Sequence, residues 1–441
     1  MNRLLVLALL LFACAPCAAL AQQDLSEEPD APSLLDELDL EWGGHVKLRG
    51  AVGWPDDDSL YAPVGLQPLS DASAEARLKA TVYLGDYAYV EAHYEALLSG
   101  GETRRRTREL EGLHPMFAGA SEPLDDDRRL LDLTSVAAQN EAWVLSHRLD
   151  RAFLAFTPDW GSVTVGRQAV TWGNGMLYSP LDLMNPFAPT DVIRDYKVGD
   201  DMVHVQVHAE PAGSLELVCV PRRDPVEREA RWSETSAAIK LHSMVDSLDL
   251  ETDLMLAKHY DDAVAGLGLR GYLGDAAWRA DATWTFLRHR DRDRSGFFSL
   301  TANLDYSWVW WDKNFYGFLE FSYLGLSDND YEQSFTHSAI SERVARGELH
   351  LLGQTYVSAH VDVELHPLLR AYLTTITNLA DPSGSVQPRL VWSVSQDLDA
   401  TLGANLCWGE RGTEFGGFEV PGTDLSTRPV NSVYCLLSWY F

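Results

Sequence analysis

The chain has 441 residues and a formal net charge of -30, a balance that excludes a general nucleic-acid binder and fits an acidic exported surface. Beyond residue 22 no apolar run reaches the roughly 20 residues that a membrane helix needs, so a membrane-spanning form has to be a closed barrel. The 14 Trp and 17 Tyr are many for this length, and they are the residues that aromatic girdles at two membrane interfaces would use.

In chain order, Met1-Asn2-Arg3 is positive, Leu4 to Ala13 is almost wholly apolar, and Ala19-Leu20-Ala21 is a small-x-small cleavage site. Residues 1–21 therefore read as a secretory signal, with the mature chain starting at Gln22. Lipoprotein processing at Cys14 is the alternative, to which Leu11-Phe12-Ala13 is a poor fit. Cys14 and Cys17 leave with the signal. Cys219, Cys407 and Cys435 remain, an odd number without framework spacing, and strand parity puts Cys407 and Cys435 on opposite faces. Residues 22–40 form an acidic periplasmic segment: Asp24, Glu27, Glu28, Asp30, Asp36, Glu37 and Asp39 occur without a single base. A solvated tail is the plain expectation, and a short docking helix over Ser33 to Leu40 the alternative.

From residue 41 to 441 the pattern is all-β. Period-two alternation broken by turn residues marks candidate strands at 41–52, 74–84, 87–98, 151–157, 162–171, 201–209, 214–221, 236–244 and 247–259. It continues at 264–273, 276–289, 297–308, 315–324, 356–366, 367–378, 386–396, 400–408 and 432–441. The total is about 18, an even number, as a single-chain bacterial barrel has. Every second connection is tight and rich in turn formers, among them Gly85-Asp86, Pro158-Asp159-Trp160-Gly161, Gly274-Asp275 and Asp397-Leu398-Asp399. The intervening set holds the long segments 53–73, 99–150, 172–200, 325–355 and 409–431. Short turns on one side and long loops on the other predict a transmembrane antiparallel up-and-down β-barrel in a bacterial outer membrane.

About 18 strands enclose a water-filled lumen rather than one packed shut by wall side chains. Parity assigns Lys47, Arg49, Arg77, Lys79, Lys240, Arg270, Arg279, Arg370 and Arg389 to that lumen. It assigns the acids Glu75, Glu91, Glu95, Asp249, Glu251, Asp253, Asp281, Asp305, Glu320, Asp362 and Glu364 there too. The bases cluster on the first, second, fifteenth and sixteenth candidate strands and the acids on the ninth to fourteenth, a separation that would orient dipolar solutes. Solvated residues paired with their neighbours are the plainer reading.

Other constellations are weak. His360-x-Asp362-x-Glu364-x-His366 has the spacing for an ion shared by alternate strand residues, but lumen lining is the commoner reason for it, so no metal is expected. Asp56-Asp57-Asp58 and Asp125-Asp126-Asp127 fall in external loops and read as solvated charge. No Ser stands in a G-x-S-x-G surround and no glycine loop fits a phosphate, so no catalytic residue, no cofactor and no enzyme are expected.

The most distinctive stretch runs Val165-Gly166-Arg167-Gln168, Thr171-Trp172-Gly173-Asn174-Gly175, Met184-Asn185-Pro186-Phe187 and Arg194-Asp195-Tyr196-Lys197. A strand ending in Gly-Arg-Gln, then Trp-Gly and an Asn-Pro loop, resembles a group of mostly uncharacterised proteobacterial porin-like proteins. More distantly it is similar to the eighteen-stranded alginate-export and substrate-specific porins. The dense basic lining of an alginate exporter is missing here. Arg167 shares parity with Val163 and Val165, so a bulge or inward valines would be needed for it to enter the lumen. Leu177, Leu181, Leu183, Met184, Phe187 and Val192 need burial, so the loop 172–200 is expected to fold into the mouth. Arg167 would then anchor its base, with Arg194, Asp195 and Lys197 at the constriction.

At the carboxy end Val433, Cys435, Leu437, Trp439 and Phe441 form one apolar face. This resembles the closing strand of outer-membrane barrels, in which a terminal Phe, with Trp439 beside it, is read by the barrel-assembly machinery. The expected function is a passive channel for small hydrophilic solutes, surrounded by outer-membrane lipid and lipopolysaccharide. A polymer exporter, and a non-conducting barrel that anchors a periplasmic partner, are the alternatives. The oligomeric state is not legible.

Overall fold

A computed structural model describes residues 39–441 apart from 114–118, 124, 185, 187–195, 210–212, 292–293, 328, 335–337, 421–422 and 424. The signal 1–21 and the acidic segment as far as residue 38 lie outside the described residues. The barrel is the compact unit Glu41–Phe441. Its strands are β1 (Leu40–Trp54), β2 (Leu69–Tyr83), β3 (Ala88–Gly101), β4 (Thr134–Gln139), β5 (Trp143–Phe156), β6 (Gly161–Gln168), β7 (Asp200–Ala209), β8 (Gly213–Val220) and β9 (Ser236–Val245). They continue as β10 (Leu250–His259), β11 (Asp262–Leu273), β12 (Ala276–Asp291), β13 (Arg294–Trp310), β14 (Lys313–Leu324), β15 (Thr355–His366), β16 (Leu369–Asn378), β17 (Ser383–Ser393), β18 (Leu398–Trp408) and β19 (Asn431–Tyr440).

Eighteen of these close an antiparallel ring in chain order, while β4 pairs beside the upper half of β5, opposite β3. Closure runs from His45↔Tyr440 to Trp54↔Asn431, so neither β1 nor β19 keeps a free edge, as hydrocarbon requires. Each candidate strand of the sequence has a counterpart in the ring. Three features were not anticipated: β4 with the first half of β5, a helix over Ser338–Ala345, and the helix Glu102–Leu113, whose buried Arg106 donates to the carbonyls of Gly65 (2.6 Å) and Gln67 (2.9 Å).

Burial is inverted relative to a soluble sandwich. On β12 the polar face points inward, with Asp281 at 1% and Thr283 at 4% exposure, while Trp284 at 43% and Phe286 at 54% face out. The same alternation puts Leu48, Leu154, Val203, Leu254, Leu319, Leu373, Leu402 and Leu437 on the outside. An apolar exterior around a polar interior is the pattern of a barrel solvated by lipid.

One register fault matters for the lumen. On β5 the partners of His93 and Tyr94 are Arg151 and Leu149, so Asp150 is an extra residue in a bulge. Before the bulge Arg148 faces in on even parity. After it Ala155, fully buried, faces in on odd parity while Leu154 is exposed. The bulge therefore brings the consecutive residues Asp150 and Arg151 to the same side of the wall.

Candidate functional site

The inward segment begins where β6 stops. Gly166 has φ 132°, a conformation other residues rarely adopt, and two residues later the ladder ends at Gln168. Val170, Trp172, Leu181 and Met184 are buried against Met202, Val218, Val220, Ala238, Met255, Ala257 and Val264, on inward positions of β7 to β11. Leaving these side chains in water would forfeit roughly 1.5–3 kcal/mol for each large one, which drives the segment into the barrel. Trp172 also donates Nε1–H to Glu216 Oε2 at 2.8 Å, and Lys240 Nζ lies 5.2 Å from its ring centroid.

The segment then reaches the far wall and binds it through its backbone. Asp281 on β12 accepts from the amides of Asn174 (2.5 Å) and Gly175 (3.2 Å), and from the Ser179 hydroxyl at 2.9 Å. Glu320 on β14 accepts from the amides of Met176 (2.5 Å), Leu177 (3.1 Å) and Tyr178 (3.0 Å). Both carboxylates are 1% exposed. Burying such a charge is costly unless it is fully hydrogen-bonded, and a run of donor amides without internal partners meets that need. Asp281, expected to line the pore, is thus covered by the segment. Arg279 pairs with Asp305 and touches the Met176 sulfur at 3.8 Å.

The returning arm leans toward the other side. Tyr196 donates to Glu75, with the Arg77 guanidinium 3.7 Å from its ring centroid and Lys47 Nζ at 5.9 Å. Lys197 is buried and pairs with Asp182 on the outgoing arm. Burial pushes the Asp182 carboxyl up to about 6, and the Lys197 charge offsets only part of that. Burial likewise pushes the Tyr196 phenol upward. Arg194 and Asp195, with Asn185, Phe187 and Val192, lie outside the described residues.

Arg167 differs from the expectation of a pore residue. Val165, on the same parity, is 50% exposed on the outer face, and the β6–β7 register is unbroken, so neither a bulge nor inward valines occur. Arg167 is 2% exposed and bonds Asp201 (3.0 Å), both carboxylate oxygens of Asp126 (3.1 and 3.0 Å) and the Leu131 carbonyl (2.7 Å). With β6 gone above Gln168, β4 takes its place beside β5, and the segment leading into β4 joins β7 through Leu131 N–H to Asp201 Oδ2 at 2.8 Å. Arg167 fastens that seam. Asp126 is accordingly no solvated loop charge. Burial would raise its carboxyl, but the bond from Arg129 and the charge of Arg167 win and hold it at about 2.

The remaining predicted residues fall into two groups. Arg77 is 2% exposed and tied to Glu95 (3.0 Å) and Asp150 (2.6 Å), while Arg148 shares Glu95 at 3.0 Å. Glu251 pairs with Arg270 at 2.7 Å and Asp253 with His242 at 3.0 Å. Asp249 is not on the wall: it occupies the turn before β10 at φ 49° and is exposed. Lys79 is exposed near the short-turn end of β2. Arg49 Nε has no hydrogen-bond partner among the described residues, and the guanidinium lies 5.5 Å from the Tyr434 ring centroid. Arg370 stands half-exposed, 3.7 Å from Asp362 and 3.9 Å from Glu364, and Arg389 lies over Tyr372 at 4.4 Å. His360 stacks on Phe318 (5.2 Å) and bonds Thr374 (2.8 Å). Lys47, Arg49, Arg370 and Arg389 thus face the lumen from β1, β16 and β17. A cavity of about 470 Å³ adjoins Arg49 and is lined also by Arg104, Arg148 and Tyr196 among others.

At the seam Gly44 and Phe441 exchange backbone bonds of 2.9 and 3.1 Å, and the Phe441 ring lies 5.1 Å from Trp439 and 6.1 Å from Trp42. Arg148 and Asp150 were missed in the sequence, because the bulge breaks the alternation that would have marked them as wall.

No family model matches the chain, and no curated sequence relative does. Among solved structures it is similar to OccAB3 of Acinetobacter baumannii, at TM-score 0.50 and 10% identity over 91% of this chain and 99% of that one. It is similar also to OccAB1 of the same species, at TM-score 0.50 and 7% identity over 91% and 96%. A BenF-like porin from Pseudomonas fluorescens gives 0.49 at 10% identity over 91% and 98%. At such identities the likeness is one of fold, and the fold is that of the eighteen-stranded outer-membrane porins.

Proposed function

We propose that this chain is an outer-membrane channel for passive passage of small hydrophilic solutes, narrowed by the segment 169–199. The observation that carries this reading is the asymmetric filling of the lumen. The segment is stapled to Asp281 and Glu320, and Lys47, Arg49, Arg370 and Arg389 line the side it leaves open. A wall of eighteen strands is wide enough to keep a water path beside such a segment. On this reading residues 1–21 are removed on export, residues 22–40 stay in the periplasm, and Trp439 and Phe441 serve assembly.

The test is conductance of the purified barrel in planar bilayers, with reversal potentials under a salt gradient. Discrete ohmic steps are expected. A folded barrel that inserts without any conductance ends the channel reading.

A further inference from the structure

We infer that the lumen cavity between β1 and β16 to β19 is a binding subsite for a polyhydroxylated ring of the pyranose type. The inference rests on the channel reading for access, and on the cavity for its chemistry. The space measures about 170 Å³, and its lining includes Tyr372, Tyr434, Tyr440, Asp399, Arg389 and Lys47. Strand parity turns all six inward. Leu373, Leu390, Leu402, Trp439 and Leu48, which alternate with them on the same strands, are exposed outside.

Two of the aromatic rings are set by the wall itself. Tyr372 is in register with Arg389 on β17, whose guanidinium lies 4.4 Å from the ring centroid. Tyr434 is in register with Gly403 on β18, and a Cβ at that position would run into the tyrosine ring. Glycine there lets the ring lie against the wall. Tyr440 remains exposed beside His45, with ring centroids 5.9 Å apart.

The mixture selects the ligand class. One face of a pyranose is a set of electropositive C–H bonds, which sits well on the negative face of an aromatic ring. The hydroxyls around its rim need donors and acceptors together. Arg389 and Lys47 donate, the Asp399 carboxylate accepts, and phenolic hydroxyls do either. A simple carboxylate solute can pair with Arg389 and Lys47 but offers Asp399 and the phenolic hydroxyls no donor, which a hydroxyl rim supplies.

The test uses maltose as probe on the full-length barrel, by calorimetry in detergent micelles and by current block in planar bilayers. Saturable binding is expected, weakened about tenfold by Tyr372→Leu and by Asp399→Asn. Gly403→Ala should weaken it as well, by displacing the Tyr434 ring. Heat-modifiable migration reports that each variant is folded. Benzoate, lacking the hydroxyl rim, should bind more weakly than maltose. Tighter binding of benzoate, no saturable maltose binding, or maltose binding indifferent to Tyr372→Leu and Asp399→Asn in folded protein overturns the proposal. Maltose binding in micelles by a barrel that does not conduct would instead remove the channel reading and leave the subsite standing.

Discussion

The two sides of the lumen carry opposite charge and are used in opposite ways. On β12 and β14, Asp281 and Glu320 are covered by backbone amides of the inward segment. On β1, β16 and β17, Lys47, Arg49, Arg370 and Arg389 face the space that remains. The difference has a simple origin. A segment that leaves a β-ladder brings amide donors that have lost their partners, so it can dock only where the wall offers acceptors. An acidic wall supplies them and a basic wall cannot. The sign of the wall decides which side is filled.

The sharpest way to break this comparison is to remove the acceptors. Asp281→Ala combined with Glu320→Ala deletes bonds to five backbone amides, each charge-assisted bond being worth about 1.5–3 kcal/mol. Single-channel conductance should rise several-fold while the barrel still assembles. Unchanged conductance would mean that the segment does not limit the passage. Next in size, Arg167→Ala leaves Asp201 buried without its cation and Asp126 with Arg129 alone, a loss of about 3–5 kcal/mol. It should lower the unfolding temperature in heat-modifiability gels more than it alters ion selectivity, since Arg167 holds the seam and not the pore.

A smaller effect sharpens the basic side. Arg49→Glu should move the reversal potential toward cation selectivity, whereas Arg288→Glu, on an exposed side chain outside the lumen, should hardly move it. Equal shifts would count against Arg49 facing the conducting path. Arg104 is a poor control, because it lines the outer cavity and donates to the Ser121 carbonyl at 2.5 Å. The smallest effect expected is pH dependence from Asp182. Its carboxyl is raised from an ordinary 3.8 to about 6 in the docked segment, so docking is favoured below about pH 4 and loses support as pH rises through about 6. Open-channel noise should grow over that window, and Asp182→Asn should flatten the dependence.

Much of the wall was legible because a lipid-solvated barrel repeats one local rule. Alternation and tight turns located each strand of the ring, and Trp439 and Phe441 stand where the terminal stripe put them. The rule failed where the chain broke it. The bulge at Asp150 shifted parity, and the stretch Trp143–Asp150 read as loop. Arg167 obeyed parity, yet a segment about forty residues upstream covers it, which no local pattern reveals. Asp281 and Glu320 were recognised as inward, but their partners lie more than a hundred residues away in sequence.

By itself the sequence determined eighteen strands and most of their faces, because each follows from neighbours two residues apart. Only the tertiary structure decided which inward charges are spent on holding the inward segment and which face the lumen beside it. That choice depends on where unpartnered amides arrive once the ring has closed, and distance around a ring is not written in any local period.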